Sequence, residues 1–141
     1  MDYEVQRNVS RTSVFRKLVP AGDVGTLSTT LASNGFITGL TIRFAAGESG
    51  TLHIRPIVVH PGNITVDLLD YADNGDKYVS GDDETIKCDL RLEIERKSRI
   101  DIEYVNTGIA TSFINVDVEV TYFEVREPVN VIGATPRKGW F

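Results

Sequence analysis

The sequence is poor in the groups on which most site chemistry depends: one cysteine, two histidines and one tryptophan in 141 residues. With Cys88 alone, no disulfide can form within the chain, a usage that suits a reducing compartment. Cysteine and histidine are also too few for a zinc site. No purely apolar run is longer than Ile57-Val58-Val59, whereas a membrane-spanning helix needs about 20 such residues. The start, Met1 to Arg7, has no basic stretch leading into an apolar one, so no signal peptide is expected. The triplets Asn8-Val9-Ser10 and Asn63-Ile64-Thr65 are then chance matches to a glycosylation acceptor. Neither a Gly-x-Ser-x-Gly elbow nor a Gly-x-x-x-x-Gly-Lys phosphate loop occurs.

What is present describes a folded domain. Apolar residues make up 41% of the chain and charged residues 25%, too apolar for disorder, and the length suits one core rather than two. The net charge of −5 is unevenly spread. Residues 1–20 carry Arg7, Arg11, Arg16 and Lys17 against Asp2 and Glu4, and residues 126–141 carry Arg126, Arg137 and Lys138 against Glu127. Each end is therefore +2, which leaves −9 on the middle. Such an acidic body repels nucleic acid, while its basic ends suit an acidic protein surface.

Alternation of period two dominates. Ile86, Cys88, Leu90, Leu92 and Ile94 fall on one side of an extended run, and Lys87, Asp89, Arg91, Glu93 and Glu95 on the other. A strand buries one such face and wets the other; a helix would scatter the same residues around its circumference. The same rhythm appears in Ile100, Ile102 and Tyr104, and in Ile114, Val116, Val118, Val120 and Tyr122. It recurs in Phe36, Leu40, Ile42 and Phe44, in Leu52, Ile54 and Val58, and in Ile64, Val66 and Leu68. Less regular runs lie at 14–19 and 24–31. Turn chemistry separates them at Pro20-Ala21-Gly22-Asp23, Ser33-Asn34-Gly35, Pro61-Gly62-Asn63 and Asn106-Thr107-Gly108. About eight short strands with no helical stripe predict an all-β, antiparallel β-sandwich, jelly-roll-like, with extended N- and C-terminal arms. The expected organisation is an arm over 1–10, a sandwich over 11–125 and a tail over 126–141. Pro56 lacks the ladder donor, so its strand is expected at an edge or with a bulge.

No catalytic constellation emerges, and the expectation is a protein that is not an enzyme and has no cofactor. Cys88 shares the apolar parity of its strand, so it reads as a core thiol of raised pKa rather than a nucleophile. The acidic connection over 70–84 has the oxygen ligands calcium prefers, but its spacing does not match an EF-hand. Asp101/Glu103 and Asp117/Glu119 offer paired carboxylates that could line a groove, though they alternate with apolar residues as on any half-exposed strand. Tyr71, Asp73, Asn74 and Tyr78 are a candidate sugar-binding loop, since tyrosines stack on sugar rings while Asp and Asn bond hydroxyls.

The chain's ends carry the clearest functional pointers. The tail has Pro128, Gly133, Pro136 and Gly139, too many breakers for a regular element, and finishes Arg137-Lys138-Gly139-Trp140-Phe141. Aromatic anchors beside cations are the residues that fill partner pockets. Trp140, Phe141, Arg137 and Lys138 are therefore the expected partner contacts, joined by Arg7, Arg11 and Tyr3 of the leading arm.

The strand Gly35–Phe44, the run Leu52–Pro56 with its Arg55-Pro56, and the stretch from Ser98 to Asn106 leading into Thr111–Tyr122 make up a compact jelly-roll-like body. With its two arms, this body resembles the small accessory virion proteins of tailed bacteriophages, the capsid decoration or cement proteins and related head or tail modules. The resemblance covers about 90 residues of strands and turns. It implies a structural role on a virion assembled in the host cytoplasm, contact with a major capsid protein, and self-association as a homotrimer, with neither nucleic acid nor membrane as partner. It carries over no functional residue, because no motif matches position by position. The competing expectations are a jelly-roll carbohydrate-binding module and a tail, neck or fibre component.

Overall fold

The computed structural model describes residues 5–71 and 77–126, with side chains over 8–71 and 77–123. Eight strands run in chain order: β1 (Val5–Val19), β2 (Val24–Thr30), β3 (Gly35–Phe44), β4 (Leu52–His60), β5 (Ile64–Asp67), β6 (Glu84–Ile94), β7 (Arg99–Asn106) and β8 (Ser112–Arg126). One helical turn, α1 (Leu68–Tyr71), follows β5. The strands form two four-stranded sheets, β1-β8-β3-β6 and β2-β7-β4-β5, with every neighbouring pair antiparallel. The chain crosses repeatedly from one sheet to the other, and this strand order is that of a jelly roll. The all-β antiparallel sandwich expected from the alternation is what forms.

The alternation explains the packing. Ile114, Val116 and Val118 from β8, Ile100 and Ile102 from β7, and Ile54 and Val58 from β4 point between the sheets and are fully buried. Each such side chain contributes about 1.5–3 kcal/mol of transfer free energy, and the charged residues between them face outward, with the buried Asp101 and half-buried Asp117 paired to arginines.

Three local departures have physical causes. In β3 the register slips between Ile37 and Gly39, so the inward set changes from Ile37 to Leu40 and Ile42. A bulge of this kind swaps faces. Phe36, expected on the core parity, instead lies on the outer face, with the Arg91 guanidinium 3.8 Å from its ring centre and Phe123 edge-on at 5.2 Å. Leu68, expected as a strand residue, begins α1, which buries both Leu68 and Leu69. Pro56 is in an interior strand rather than at a sheet edge, but β4 pairs with β5 only from Ile57 on and bridges Val79 only at Ile54. The proline therefore sits where its missing N–H leaves no partner unbonded.

Of the arm expected over 1–10, Val5 to Ser10 belong to β1 and pair with residues 126 to 121 of β8. Pairing of β3 with β8 ends at Gly35 and Tyr122, whereas β1 and β8 stay paired to Val5 and Arg126. The last four pairs form a two-stranded ribbon extending roughly 13 Å past β3.

Candidate functional site: the two ends of the sandwich

The turns 20–23, 45–51, 79–83 and 107–111 meet at one end of the sandwich. Gly50 N donates to Gly81 O at 3.2 Å, Asp83 N to Ala45 O at 3.2 Å, and Thr107 N to Thr51 O at 2.9 Å. Asn106, only 1% exposed, ties two of these turns together. Its Nδ2 donates to the carbonyls of Val19 at 3.0 Å, Pro20 at 3.3 Å and Ala110 at 2.9 Å, while its Oδ1 accepts from Gly108 N. This knot holds exposed apolar side chains around it: Leu18, Val24, Phe113, and Ile109, which is 99% exposed. The four turns contain Asp23, Glu48, Asp82 and Asp83 but no lysine or arginine. Of the two bases nearest in sequence, Arg43 pairs with Asp117 and Lys77 acts on Asp67.

The turns 31–34 and 95–98 meet at the opposite end. Leu31 N donates to Ser98 O at 2.7 Å, Lys97 N to Leu31 O at 3.0 Å, and Arg96 N to Asn34 Oδ1 at 2.8 Å. The β1–β8 ribbon rises from here, and its root carries a groove of about 260 Å³ lined by Val9, Arg11, Ala32, Ser33 and Tyr122. Burial raises the Tyr122 hydroxyl above its ordinary range, opposed by a hydrogen bond to Ala32 and by the charge of Arg11.

Of the expected contact residues, Arg11 is exposed on β1 and lines this groove. Arg7 falls in β1 opposite Glu124. Tyr3, Arg137, Lys138, Trp140 and Phe141 lie outside the described residues. Because Val5 pairs with Arg126, the segments 1–4 and 127–141 attach to the same end of the ribbon. The tail with Arg126, Arg137 and Lys138 therefore leaves from the end of β1 that carries Arg7, whereas Arg16 and Lys17, opposite Asn115 and Ile114, lie toward the other end.

The carboxylate pairs do not share a groove. Asp101 and Glu103 occupy the outer face of the second sheet, and Asp117 and Glu119 the outer face of the first. Burial pushes the Asp101 carboxyl upward, but hydrogen bonds from Arg99 and Ser28 outweigh it and hold the group below the ordinary carboxylate range. Asp117 behaves alike: burial is outweighed by Arg43 at 2.8 Å and Arg16 at 2.9 Å. Arg55 grips Asp67 with two bonds, at 2.6 and 3.1 Å, and reaches Glu103 at 3.1 Å. The bidentate bond lowers Asp67 and raises Arg55. Asp67, Asp101 and Asp117 are thus each paired with an arginine, and Glu103 shares Arg55 with Asp67.

Ser98 and His60 are the one hydroxyl–imidazole pair recorded among the described residues, at 3.5 Å. The serine is fully buried and accepts the Glu95 backbone N–H, so its oxygen has no open approach for a substrate. Cys88 faces inward on the edge strand β6, and burial raises its thiol. Tyr71 donates to the Arg91 carbonyl at 2.8 Å, and the Arg55 guanidinium lies 5.9 Å from the Tyr78 ring centre. Both tyrosines of the candidate sugar loop are thus engaged, while Asp73 and Asn74 lie outside the described residues. Among the described residues, no three His, Cys, Asp or Glu side chains converge as metal ligands, and no helix is long and apolar enough to cross a membrane.

No family model and no curated protein matches the chain. Solved structures similar to it include a serine protease of Aeromonas sobria, at 10% identity and TM-score 0.44, over 86% of this chain and 28% of that one. Infectious bursal disease virus, Gx strain, matches at 12% identity and TM-score 0.41, over 86% of this chain and 32% of that one. A family two carbohydrate esterase from Cellvibrio japonicus matches at 9% identity and TM-score 0.38, over 86% and 36%. The chain spans about a third of the length of each. None of them transfers a residue or an activity.

Proposed function

We propose that this is a non-enzymatic structural protein that binds a larger protein shell through its chain ends, as a capsid decoration protein of a tailed bacteriophage does. The observation that carries this reading is the pairing of Val5 with Arg126, by which both chain ends leave from the tip of one protruding ribbon. An isolated two-stranded ribbon is marginally stable in water, so this one gains stability when a partner covers it. The body behind it is a rigid spacer in which Asp67, Asp101 and Asp117 are each paired with an arginine. The partner is an acidic surface such as that of a major capsid protein, repeated many times so that modest single contacts add up.

Self-association as a homotrimer fits the same design. Leu18 and Val14 stand exposed on β1, whose free edge borders no other strand among the described residues, and burying them between copies recovers apolar area.

The experiment is quantitative mass spectrometry of purified virions from the source of this sequence. The reading expects this chain in a fixed ratio to the major capsid protein, and absence of the chain from the particle overturns it.

A further inference from the structure

The acidic end holds a group that neither the fold nor the assembly reading explains. Glu48 is 7% exposed. Its Oε2 accepts the Phe113 backbone N–H at 2.9 Å, while its Oε1 is buried with no hydrogen-bond partner. A carboxylate removed from water with one oxygen unbonded is costly, and such a group calls for an occupant. The loop is shaped around it. Gly47 and Gly50 have φ of +91° and +70°, and Ser49 adopts φ +54° although it is not a glycine. The Glu48 carbonyl is held by Thr51 N at 3.0 Å and Thr51 Oγ1 at 2.8 Å. Glu48 lines a cavity of about 150 Å³ between this loop and residues 108–112, where Ser49, Thr51, Thr111 and Ser112 add hydroxyl and carbonyl oxygens.

We propose that this cavity is a calcium site, with Glu48 as its one charged ligand and neutral loop oxygens completing the shell. The chemistry fits a hard cation. Beside the apolar Ile109 and Ala110, the lining includes Glu48, Ser49, Thr51, Thr111 and Ser112, whose side-chain oxygens are ligands that calcium accepts at about 2.3–2.6 Å in irregular geometry, and the surrounding turns carry acids without a single lysine or arginine. With one carboxylate the affinity is weak, a Kd on the order of 10⁻³ M. Bound there, the ion joins the β3–β4 loop to the β7–β8 turn, which carries exposed Ile109. This inference does not depend on the assembly reading.

The test is thermal unfolding of the full chain in chelator and in calcium chloride, together with calorimetric titration of calcium. At a calcium concentration about 100 times the Kd, Tm rises by roughly 9 °C. Magnesium, which resists dehydration and demands octahedral geometry, gives a smaller rise. Glu48→Gln removes the calcium rise, whereas D73N/D76N/D83N keeps it. No calcium-dependent rise in the intact chain, or an equal rise in Glu48→Gln, overturns the site, and so does loss of the rise in the triple variant. Should Glu48→Gln fail to fold, titration of the triple variant decides: one calcium per chain supports the site, and none overturns it.

Discussion

Val5 lies directly opposite Arg126 in the antiparallel β1–β8 pair, although 120 residues separate them in the chain. The pairing brings the two chain ends to one pole and leaves the turns with Glu48, Asp82 and Asp83 at the other. The proposed work of the molecule is done at these ends.

Asn106 is the side chain on which the acidic end depends. Asn106→Ala removes three donated hydrogen bonds, to Val19, Pro20 and Ala110, and leaves their carbonyls to find water. The expected cost is about 3 kcal/mol, read as a lower urea midpoint at unchanged slope. Asn106→Asp keeps the size but loses the donor, and it should be destabilising as well.

Gly35 tests the close approach of β3 to β8. A Cβ there would stand 2.1 Å from the Thr121 carbonyl oxygen and 2.9 Å from the Tyr122 Cα, both backbone atoms that cannot rotate away. Gly35→Ala is expected to cost about 1–3 kcal/mol, measured by denaturant unfolding. Gly62→Ala, with open space around the site, loses stability only through its φ of +88°.

The outer-face ions set the acid limb of stability. Asp67, Asp101 and Asp117 all have folded-state carboxyls below the ordinary value. A lowered carboxyl contributes stability that is fully present above its unfolded pKa of about 3.9 and is lost as pH falls through the folded value. The urea midpoint should therefore be flat near neutrality and fall below about pH 4. Asp117→Asn, which removes the partner of both Arg16 and Arg43, should be less stable at neutral pH and show a shallower acid decline.

Much of this architecture is legible in the sequence, and the limits are physical. Alternation in Ile86–Ile94, Ile100–Tyr104 and Ile114–Val120 fixes which side chains face the core, because period two is a property of each strand alone. It does not say which strand lies alongside. Asp101 and Asp117 look like neighbours on consecutive strands, yet β7 and β8 enter different sheets, so the two carboxylates face opposite ways. Phe36 departs from the face its parity indicates because the bulge at Ile37–Gly39 leaves no mark in hydrophobic pattern beyond a glycine. Glu48 had no signal at all: among glycines and serines it reads as a solvated turn residue, and only the fold brings it under Phe113. The ends were visible as charge and aromatic composition, but their convergence depends on the β1–β8 register.

Removing Thr135–Phe141 probes the tail directly. The described body ends at Arg126, so the shortened chain should keep its far-ultraviolet circular dichroism and unfold within about 2 °C of the intact protein. A large loss of stability would show that these residues serve the domain itself.

The decisive measurement is co-sedimentation with shells assembled from the major capsid protein of the same virus, comparing the intact chain with the one lacking Thr135–Phe141. The account predicts that the intact chain pellets with the shells in a salt-sensitive manner and that the shortened chain stays in the supernatant while still folded. Equal pelleting of both chains, or none of either, would contradict it.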